Sequence, residues 1–594
     1  MPINGISGTA LNTNIVAKAL GAALVIAIAA AAAVSLRCQA LNRSHASRYD
    51  VRSYGARGDG LSKDTAALQA AIEAAASRSG GTVIFPPGRY LTGTLHLRSN
   101  VSLLLEAGAT LVASRDDVDF DPYERLAGGS YSTARPTWIV LPQMRRPLAA
   151  RAAASRQSLA TTIDDPDTSF GHYAVIAGDR VSNVSIEGAG TIDGNRNRRG
   201  GPKLISLKDC RHVTIRGITL RNAANYNISL IGTEDADLED LTILNGYADG
   251  IDPDNSRFVR IANCYIDTRD DAICAKASLA LGRRLATEDL VVTNCILRTS
   301  NSGFKLGTES EGDFRSIAFS NSVVARRALG RAPITGVAIE SVDGGEISGI
   351  EVSNIVIRGA RTPIFMRLGN RGRGMRVRIP GSIGDISFSN IIALDAARPC
   401  SFDGLPGYPI RRVTVADVDV EEIGGDRFDD LAVPELPQAY PQGEMFGPLP
   451  AYALYARHVD GLTVSNWRNR WERADMRPAA LFDDVRDLRV FGFAARGSAG
   501  RAPLILMHNV SDARLQSLSA GKPSAPLLET RGADTRNVEV VTDHGACSGG
   551  SVEAFDRSPG APLGGSRLAG RDATHAGHAR KSADGVRAQP HLGS

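Results

Sequence analysis

The chain has 594 residues, with 68 Lys and Arg against 64 Asp and Glu, and a formal net charge of +4. So small an excess over this length argues against a dedicated polyanion-binding protein, whose basic residues would cluster on one face. The 43% of hydrophobic and 22% of charged residues exclude wholesale disorder and a polytopic membrane protein. The 7 cysteines are too few for a disulfide scaffold.

The N-terminus resembles a targeting segment. Residues 19–36 carry no charge and lie between Lys18 and Arg37. A basic residue before an apolar stretch is typical of a secretory signal, although this run is long for one and barely spans a bilayer. We expect residues 1–46 to be a signal peptide or a retained signal anchor. The protein is then secreted or periplasmic, with no membrane contact beyond that anchor.

The next segment predicts a helix followed by a strand. Residues 62–78 place Ala67, Leu68, Ala71, Ile72 and Ala75 on one face, and Ser62 is the expected cap. Residues 80–88 (GGTVIFPPG) are typical of turn, strand and turn, and residues 116–170 predict a long inserted loop. The helix could cover the open end of a repeat structure.

A short pattern, apolar-x-apolar-x-x-apolar-x-apolar, recurs through the middle of the chain. Copies start at residues 213, 236 and 259, which are 23 residues apart, and later intervals are longer. The alternation has a period of two, which indicates strands with one buried face. Strands at this spacing with no helix between them predict an all-β parallel β-helix. The leucine-rich consensus and the hairpin turns of a sandwich are both missing from the pattern.

Domain boundaries follow from where this pattern begins and ends. We expect one β-helix domain over residues 47–545, with the helix as its N-terminal cap. Residues 546–594 are rich in Gly, Ser, Ala, Arg and His and predict a disordered tail.

Two acidic segments lie about one coil apart. Asp249 belongs to the sequence ADGIDPD, and Asp270 and Asp271 belong to RDDAI. Successive coils are separated by about 4.8 Å, so these carboxyl groups should converge on one face. Carboxylates placed so close raise at least one pKa, which provides a proton donor beside ionised bases. Inverting glycoside hydrolysis needs such a set.

A structural explanation stays open at this point. Asp and Asn are common at turns because they satisfy local backbone groups. Two acidic clusters one coil apart are harder to explain that way than a single pair. Asp252 could belong to the site or orient the Asp249 loop, and we favour the second.

Several motifs resemble glycoside hydrolase family 28, the polygalacturonase family. They are residues 51–60 (VRSYGARGDG) with Asp64 and Thr65, residues 188–194 (GAGTIDG), and the two acidic segments. The resemblance covers roughly residues 49–420 in the right order. It implies a right-handed parallel β-helix and hydrolysis by single displacement with inversion. Carried over by motif, Asp270 is the general acid, and Asp249 and Asp271 activate the water.

The chain departs from the family pattern at three motifs. Asn-Thr-Asp reads Tyr-Ala-Asp249, and Gly-His-Gly reads Asn301-Ser302-Gly303. Arg-Ile-Lys, which in the family grips a galacturonate carboxylate beyond the cleavage point, reads Ala338-Ile339-Glu340. Family members that act on rhamnogalacturonan also depart at the His. The resemblance therefore implies a pectic or related acidic polysaccharide of the cell wall, with rhamnogalacturonan as one candidate.

Other residues are candidates for binding an anionic sugar. Lys276, Lys305 and Arg367 are basic, and the last two interrupt apolar strand patterns. Tyr226 could stack on a sugar ring or pack at the solvent edge. Most such residues in proteins are simply solvated surface.

The sequence predicts neither a metal site nor a cofactor. Cys264 and Cys295 occupy the same position in consecutive repeats, which favours buried free thiols. No CxxC pair occurs in the sequence. We expect a monomer that binds a polysaccharide and no nucleic acid.

Two other functions compete with a glycosidase. A β-helix polysaccharide lyase would use the Asp cluster to bind Ca²⁺ and a basic residue to take the proton. A non-catalytic surface protein would bind glycans through the same groove.

Overall fold

The computed structural model describes residues 47–122, 173–428, 432–521 and 525–541. The predicted targeting segment, most of the predicted inserted loop and the predicted tail lie outside the described residues. Within them the chain forms a right-handed parallel β-helix, as the sequence predicts. No helix in the described ranges is long and apolar enough to cross a membrane.

The described residues contain one α-helix, α1 (Thr65–Ser77), which follows a 3-10 turn at Val51–Tyr54 near the start of the fold. The buried face of α1 matches the predicted one, but Ser62 does not cap the helix, because it lies in a strand and bonds to Asp59. Asp64 precedes the helix, and its carboxylate accepts hydrogen bonds from the backbone N–H of Arg57 at 2.8 Å and of Gly58 at 3.1 Å. A second 3-10 turn spans Asp117–Asp119.

Strands follow in three stacks, and each strand pairs in parallel with the strand one coil later. The first stack contains β1 (Arg48–Asp50), β3 (Gly81–Phe85), β6 (Val101–Leu105), β9 (Ser182–Gly188), β12 (Arg211–Arg216), β15 (Glu234–Glu239), β18 (Arg257–Ala262) and β21 (Thr287–Thr293). The second contains β2 (Asp59–Lys63), β4 (Gly88–Thr92), β7 (Ala109–Ala113), β10 (Thr191–Asp193), β13 (Thr219–Arg221), β16 (Thr242–Gly246), β19 (Tyr265–Thr268) and β22 (Ile296–Thr299).

The third stack lies next to the polar residues of the candidate site. It contains β5 (Leu95–His96), β8 (Ala174–Asp179), β11 (Lys203–Lys208), β14 (Ile228–Ile231), β17 (Ile251–Asp254), β20 (Ile273–Ala277), β23 (Ser302–Ser310), β25 (Thr335–Ser341), β27 (Thr362–Leu368), β29 (Cys400–Asp403), β33 (Ile505–His508) and β35 (Leu528–Arg531).

Later coils join the first two stacks into single long strands. These are β24 (Phe314–Arg326), β26 (Glu346–Arg358), β28 (Ser382–Ala396), β30 (Ile410–Gly424), β31 (Leu454–Arg473), β32 (Ala480–Ala495) and β34 (Ser511–Ser519). The last strand, β36 (Arg536–Val541), continues the first stack only. The first residues of β31 and β32 also continue the third stack, since Cys400 pairs with Leu454 and Leu454 with Ala480.

The repeat pattern corresponds to inward-facing columns of side chains. Val213, Ala236, Val259 and Leu290 lie in register on successive coils, and all are buried. Alternation with a period of two therefore buries one face of every coil. Cys264 and Cys295 are buried free thiols, as predicted.

Left-handed residues mark the bends between the first and second stacks. Asn263 and Asn294 have φ of 58° and 55°. The same position in later coils is most often Asn and otherwise Asp417, Gly492 or Ser517, all with positive φ. Asn tolerates this conformation because its short polar side chain bonds locally. The Asn354 amide donates to Asn321 Oδ1 at 3.0 Å, and the Asn390 amide donates to Asn354 Oδ1 at 2.7 Å.

The corner between the third and first stacks varies in length. It is short at residues 311–313 and long at 278–286 and 369–381. The last of these segments is held to the preceding coil, since Arg371 Nε donates to Asp343 Oδ1 at 3.0 Å. The corner between the second and third stacks keeps a more regular length from β13 to β23. That corner carries the acidic residues.

Candidate active site

The two acidic segments lie side by side at the corner between the second and third stacks. Asp249 lies between β16 and β17, and Asp270 and Asp271 lie between β19 and β20, one coil later. The Gly250 N–H donates to the Asp271 carbonyl at 2.9 Å, and the Ala272 N–H donates to the Ser302 carbonyl at 2.9 Å. The spacing of 21 residues therefore brings the carboxyl groups together, as the repeat predicts.

Lys276, on β20, forms ion pairs with two of the carboxyl groups. Its Nζ lies 2.9 Å from Asp249 Oδ2 and 2.5 Å from Asp252 Oδ1. Burial raises the pKa of Asp249 well above its ordinary value, although the Lys276 ammonium opposes the rise. Burial also raises the pKa of Asp252 against the same ammonium. The two Asp and the Lys thus form a buried charged triad.

Tyr226 closes this triad on one side. Its hydroxyl lies 3.1 Å from Lys276 Nζ, and the ammonium lies 4.2 Å from the centre of the ring. Lys203 Nζ lies 5.0 Å from the same ring. The Tyr226 side chain is buried and contacts two cations. Its predicted stacking on a sugar stays a prediction.

Lys305 holds the third carboxylate in a similar way. Its Nζ lies 3.3 Å from Asp271 Oδ2, 3.6 Å from Glu340 Oε2 and 3.4 Å from the Tyr440 hydroxyl. Burial lowers the pKa of Lys305, but Asp271 and Glu340 outweigh that effect and raise it. Burial raises the pKa of Glu340 to about 7. The positive charge of Lys305 is therefore shared between two carboxyl groups of the protein.

Asp270 is the most exposed of the three predicted catalytic carboxyls, at 23% against 7% for Asp249 and 6% for Asp271. Arg199 Nη1 lies 2.5 Å from its Oδ2, and the Asn301 amide donates to its Oδ1 at 2.6 Å. Burial acts to raise the pKa of Asp270, but Arg199, the Asn301 hydrogen bond and Lys305 outweigh it and lower the pKa. Asp270 is held as a carboxylate in this state.

Arg367 lies apart from these groups. Its guanidinium donates to the backbone carbonyls of Gly404 at 3.2 Å and of Glu435 at 2.5 Å, and the residue is 1% exposed. These contacts tie the segment after residue 432 to the wall of the third stack. The predicted role of Arg367 in sugar binding stays a prediction, and its contacts here are structural.

The sequence analysis missed Arg199 and Asn301 as partners of Asp270. Asn301 stands at the first position of the altered Gly-His-Gly motif, so the departure itself was the available signal. Arg199 lies in a basic loop (NRNRRGG, 195–201) at the same corner, three coils earlier. Because the loop occupies the same position in its coil as Asp270 does in its own, the spacing of the repeats was a signal that could have identified it.

One set of ligand atoms in the described residues is close enough to hold a metal ion. Oxygens of Asp249 and Asp271 and the Cys274 sulfur lie within 4.8 Å of one another. Burial raises the pKa of the Cys274 thiol well above its ordinary value, and its proton is donated to the Gly307 carbonyl at 3.0 Å. Ca²⁺ takes about six to eight oxygen ligands, and each of these Asp residues already has a lysine partner. The donor set does not fit the Ca²⁺ of the lyase alternative.

Comparisons with known proteins found two family models and several relatives that match this chain. Residues 158–433 match the sequence model of glycosyl hydrolases family 28, and residues 49–114 match that of rhamnogalacturonase A/epimerase, pectate lyase-like proteins. A probable polygalacturonase of Vitis vinifera is 24% identical over 62% of this chain and 73% of its own length. An exo-poly-alpha-D-galacturonosidase of Dickeya chrysanthemi is 23% identical over 58% of this chain and 62% of its own length.

A solved structure supports the fold. The exopolygalacturonase of Thermotoga maritima superposes with a TM-score of 0.51 at 19% identity, over 63% of this chain and 87% of that one. Fold and sequence together define an O-glycosyl hydrolase of the parallel β-helix type. The family model covers a little under half of the chain, so the chain is similar to glycosyl hydrolases family 28 as a divergent relative.

The Lys276 triad yields a prediction about stability. In Lys276→Met, Asp249 and Asp252 lose their counter-ion, and breaking a buried ion pair costs about 3–5 kcal/mol. Their pKa values are raised in the folded state, so the folded protein binds more protons than the unfolded one. Its free energy of unfolding should therefore recover as pH falls. Urea unfolding between about pH 8 and about pH 5 measures both effects.

Lys63→Met is the control for this experiment. Lys63 pairs with Asp119 at 2.7 Å, but its side chain is 55% exposed. Its unfolding midpoint should stay close to that of the unchanged protein at every pH. A Lys276→Met variant with an equally unchanged midpoint would contradict the counter-ion role.

Proposed function

We propose that the protein is an inverting glycosidase that cleaves a pectic or related acidic polysaccharide. One observation carries the proposal: an oxygen of Asp249 and one of Asp271 lie within 4.8 Å of each other beside the more exposed Asp270. A single water molecule can span that separation with a hydrogen bond of about 2.8 Å to each oxygen. The arrangement can hold a water between two carboxyl groups, with a third carboxyl group next to it.

The proposed roles follow from the surroundings of each group. Asp270 gives a proton to the leaving glycosidic oxygen as its bond to the anomeric carbon breaks. Asp249 and Asp271 hold the water and take its proton as it attacks that carbon from the opposite face. Each proposed base has a cationic partner, since Lys276 lies beside Asp249 and Lys305 beside Asp271. Asp270 must first become protonated, since Arg199 holds it ionised in the free protein.

The substrate preference is proposed from the altered Arg-Ile-Lys motif. Glu340 is buried against Lys305, and Ala338 has no charge to offer. A uronate carboxylate beyond the cleavage point would meet a carboxyl group and a lysine that is already paired. We therefore favour a neutral or branched sugar at that position, as in rhamnogalacturonan. The named relatives act on polygalacturonate, so this preference sets the chain apart from them.

The site of action is proposed from the N-terminal sequence. The apolar run 19–36 behind Lys18 supports export. Cell-wall polysaccharide lies outside the cytoplasm, and an exported monomer reaches it.

The acid role of Asp270 predicts the effect of Asp270→Asn. The amide cannot donate a carboxyl proton, and proton transfer of this kind contributes about 10²–10⁴-fold to the rate. We expect a loss of kcat of that size on pectic fragments with an unchanged unfolding midpoint. Asp240→Asn is the matched control, because Asp240 is exposed and its φ of 55° suits Asn equally well. Near-normal turnover by Asp270→Asn would contradict the assignment of Asp270 as the general acid.

Single displacement predicts the stereochemistry of the product. Water attacks opposite the leaving oxygen, so the anomeric configuration inverts. Proton NMR of the first product, recorded before the sugar mutarotates, should show the inverted anomer. A retained anomer would require a carboxylate nucleophile and a different assignment of roles.

The pairing of Glu340 with Lys305 predicts a change in substrate preference. Glu340→Gln removes the competing charge and leaves Lys305 more able to hold a uronate. The unchanged protein should act weakly on unbranched polygalacturonate and better on rhamnogalacturonan fragments. Glu340→Gln should raise the relative rate on polygalacturonate about tenfold, the effect of one charge-assisted hydrogen bond. Rates of both proteins on both polymers test this, and a native preference for polygalacturonate would contradict it.

A further inference from the structure

Arg199 reaches the candidate acid from a loop three coils away. Its loop, 194–202, connects β10 to β11, whereas Asp270 follows β19. The backbone of the loop is fixed to the next coil, because the Gly194 N–H donates to the Arg221 carbonyl at 2.8 Å and the Gly200 N–H donates to the Ala224 carbonyl at 2.9 Å. If Arg199 changes its partner, the movement is therefore in its side chain and not in the loop backbone.

The Arg199 guanidinium is also the most accessible of the cations that pair with the site carboxyls. Its side chain is 37% exposed, against 3% for both Lys276 and Lys305. Both lysines bridge two carboxyl groups of the protein. A carboxylate arriving in the groove thus meets Arg199 more readily than either lysine, and a guanidinium can bind it with two parallel hydrogen bonds.

We propose that Arg199 recognises a uronate carboxylate of the substrate and, in turning to it, releases Asp270 to act as the acid. The proposal rests on the glycosidase function given above. In the free protein the ion pair keeps Asp270 from taking up a proton. When a substrate carboxylate binds Arg199, the ion pair between Arg199 and Asp270 breaks beside the glycosidic oxygen that must be protonated. Substrate binding therefore also allows Asp270 to take up the proton that it donates.

The proton balance of this step is complete. When Arg199 turns away, Asp270 faces the carboxylates Asp249 and Asp271, the Lys305 ammonium and the neutral Asn301 amide. It takes one proton from solvent and passes that proton to the leaving oxygen. The attacking water gives its own proton to Asp249 or Asp271, and solvent restores the starting state. No other reactant is needed.

The first test compares a rhamnogalacturonan oligosaccharide with its carboxyl methyl ester. The unchanged protein should prefer the free acid by about tenfold or more in kcat/KM, because the ester cannot draw Arg199 away. Arg199→Gln should act on both at similar rates, and Arg199→Lys should keep part of the preference. Arg196→Gln is the matched control, since Arg196 lies in the same loop but pairs with Asp117 at 3.4 Å. Equal rates of the unchanged protein on acid and ester would overturn the proposal.

The second test uses the pH dependence of the rate. The alkaline limb of kcat/KM reports the acid of the free enzyme, and that of kcat reports the acid in the complex. In the unchanged protein the limb of kcat should lie at higher pH, because substrate removes Arg199 from Asp270. In Arg199→Gln the two limbs should coincide. Coincident limbs in the unchanged protein would overturn the proposal, as a merely structural arginine would give that result.

A third measurement separates this proposal from the glycosidase function. If no pectic fragment is hydrolysed, the function proposed above fails. Titration calorimetry of the same oligosaccharide in two buffers of different ionisation enthalpy then measures proton uptake on binding. Uptake by the unchanged protein that disappears in Arg199→Gln supports the exchange of partners, and binding without uptake overturns it.

Discussion

Most described coils of this protein depend on a residue that can adopt a left-handed conformation at the bend between their first two strands. Asn, Asp, Gly or Ser fills that position, and where Asn occurs in successive coils its side-chain amide bonds to the Asn of the neighbouring coil. The bend fixes where each strand starts, so the strands stay in parallel register over the whole stack. The candidate site needs this register, because Asp249 and Asp271 come from different coils and meet only if the coils do not slip.

The site adds a second requirement, which is charge balance in a buried place. Asp249, Asp252, Asp271 and Glu340 are all almost fully buried, and two lysines from the third stack compensate them. Buried carboxylates without such partners would become neutral or destabilise the fold. Lys276 and Lys305 therefore stabilise the fold as well as balance the charge of the site. Asp270 differs, because its partner Arg199 comes from a loop three coils earlier and has a partly exposed side chain.

The fold could be predicted from the sequence because its signal is periodic. Alternating apolar residues gave the strands, and the recurrence of the pattern gave the coil. The spacing of Asp249 and Asp270 then placed the carboxyl groups together. The start of α1 was harder to predict, because Ser62 and Asp64 are both good capping residues. Only the hydrogen bonds that Asp64 accepts from Arg57 and Gly58 distinguish the two.

The ion pairs of the site could not be predicted to the same extent. Sequence patterns indicate which face a residue occupies, but they do not show how far a long side chain reaches along the stack. Lys305 pairs with Glu340 on the next coil, and Arg199 crosses three coils to Asp270. For the same reason the sequence did not show that the Arg367 guanidinium donates to the backbone carbonyls of Gly404 and Glu435.

The uneven corner between the third and first stacks has a consequence for how such a protein can change. Chain length varies there from residues 311–313 to residues 369–381, while the strands on either side keep their pairing. Closing a longer loop adds little entropic cost, so additional segments can be accommodated at this corner without moving the third stack. The β-helix is in this sense a modular scaffold, whose loops at this corner can lengthen while the strand register that brings the carboxyl groups together is kept.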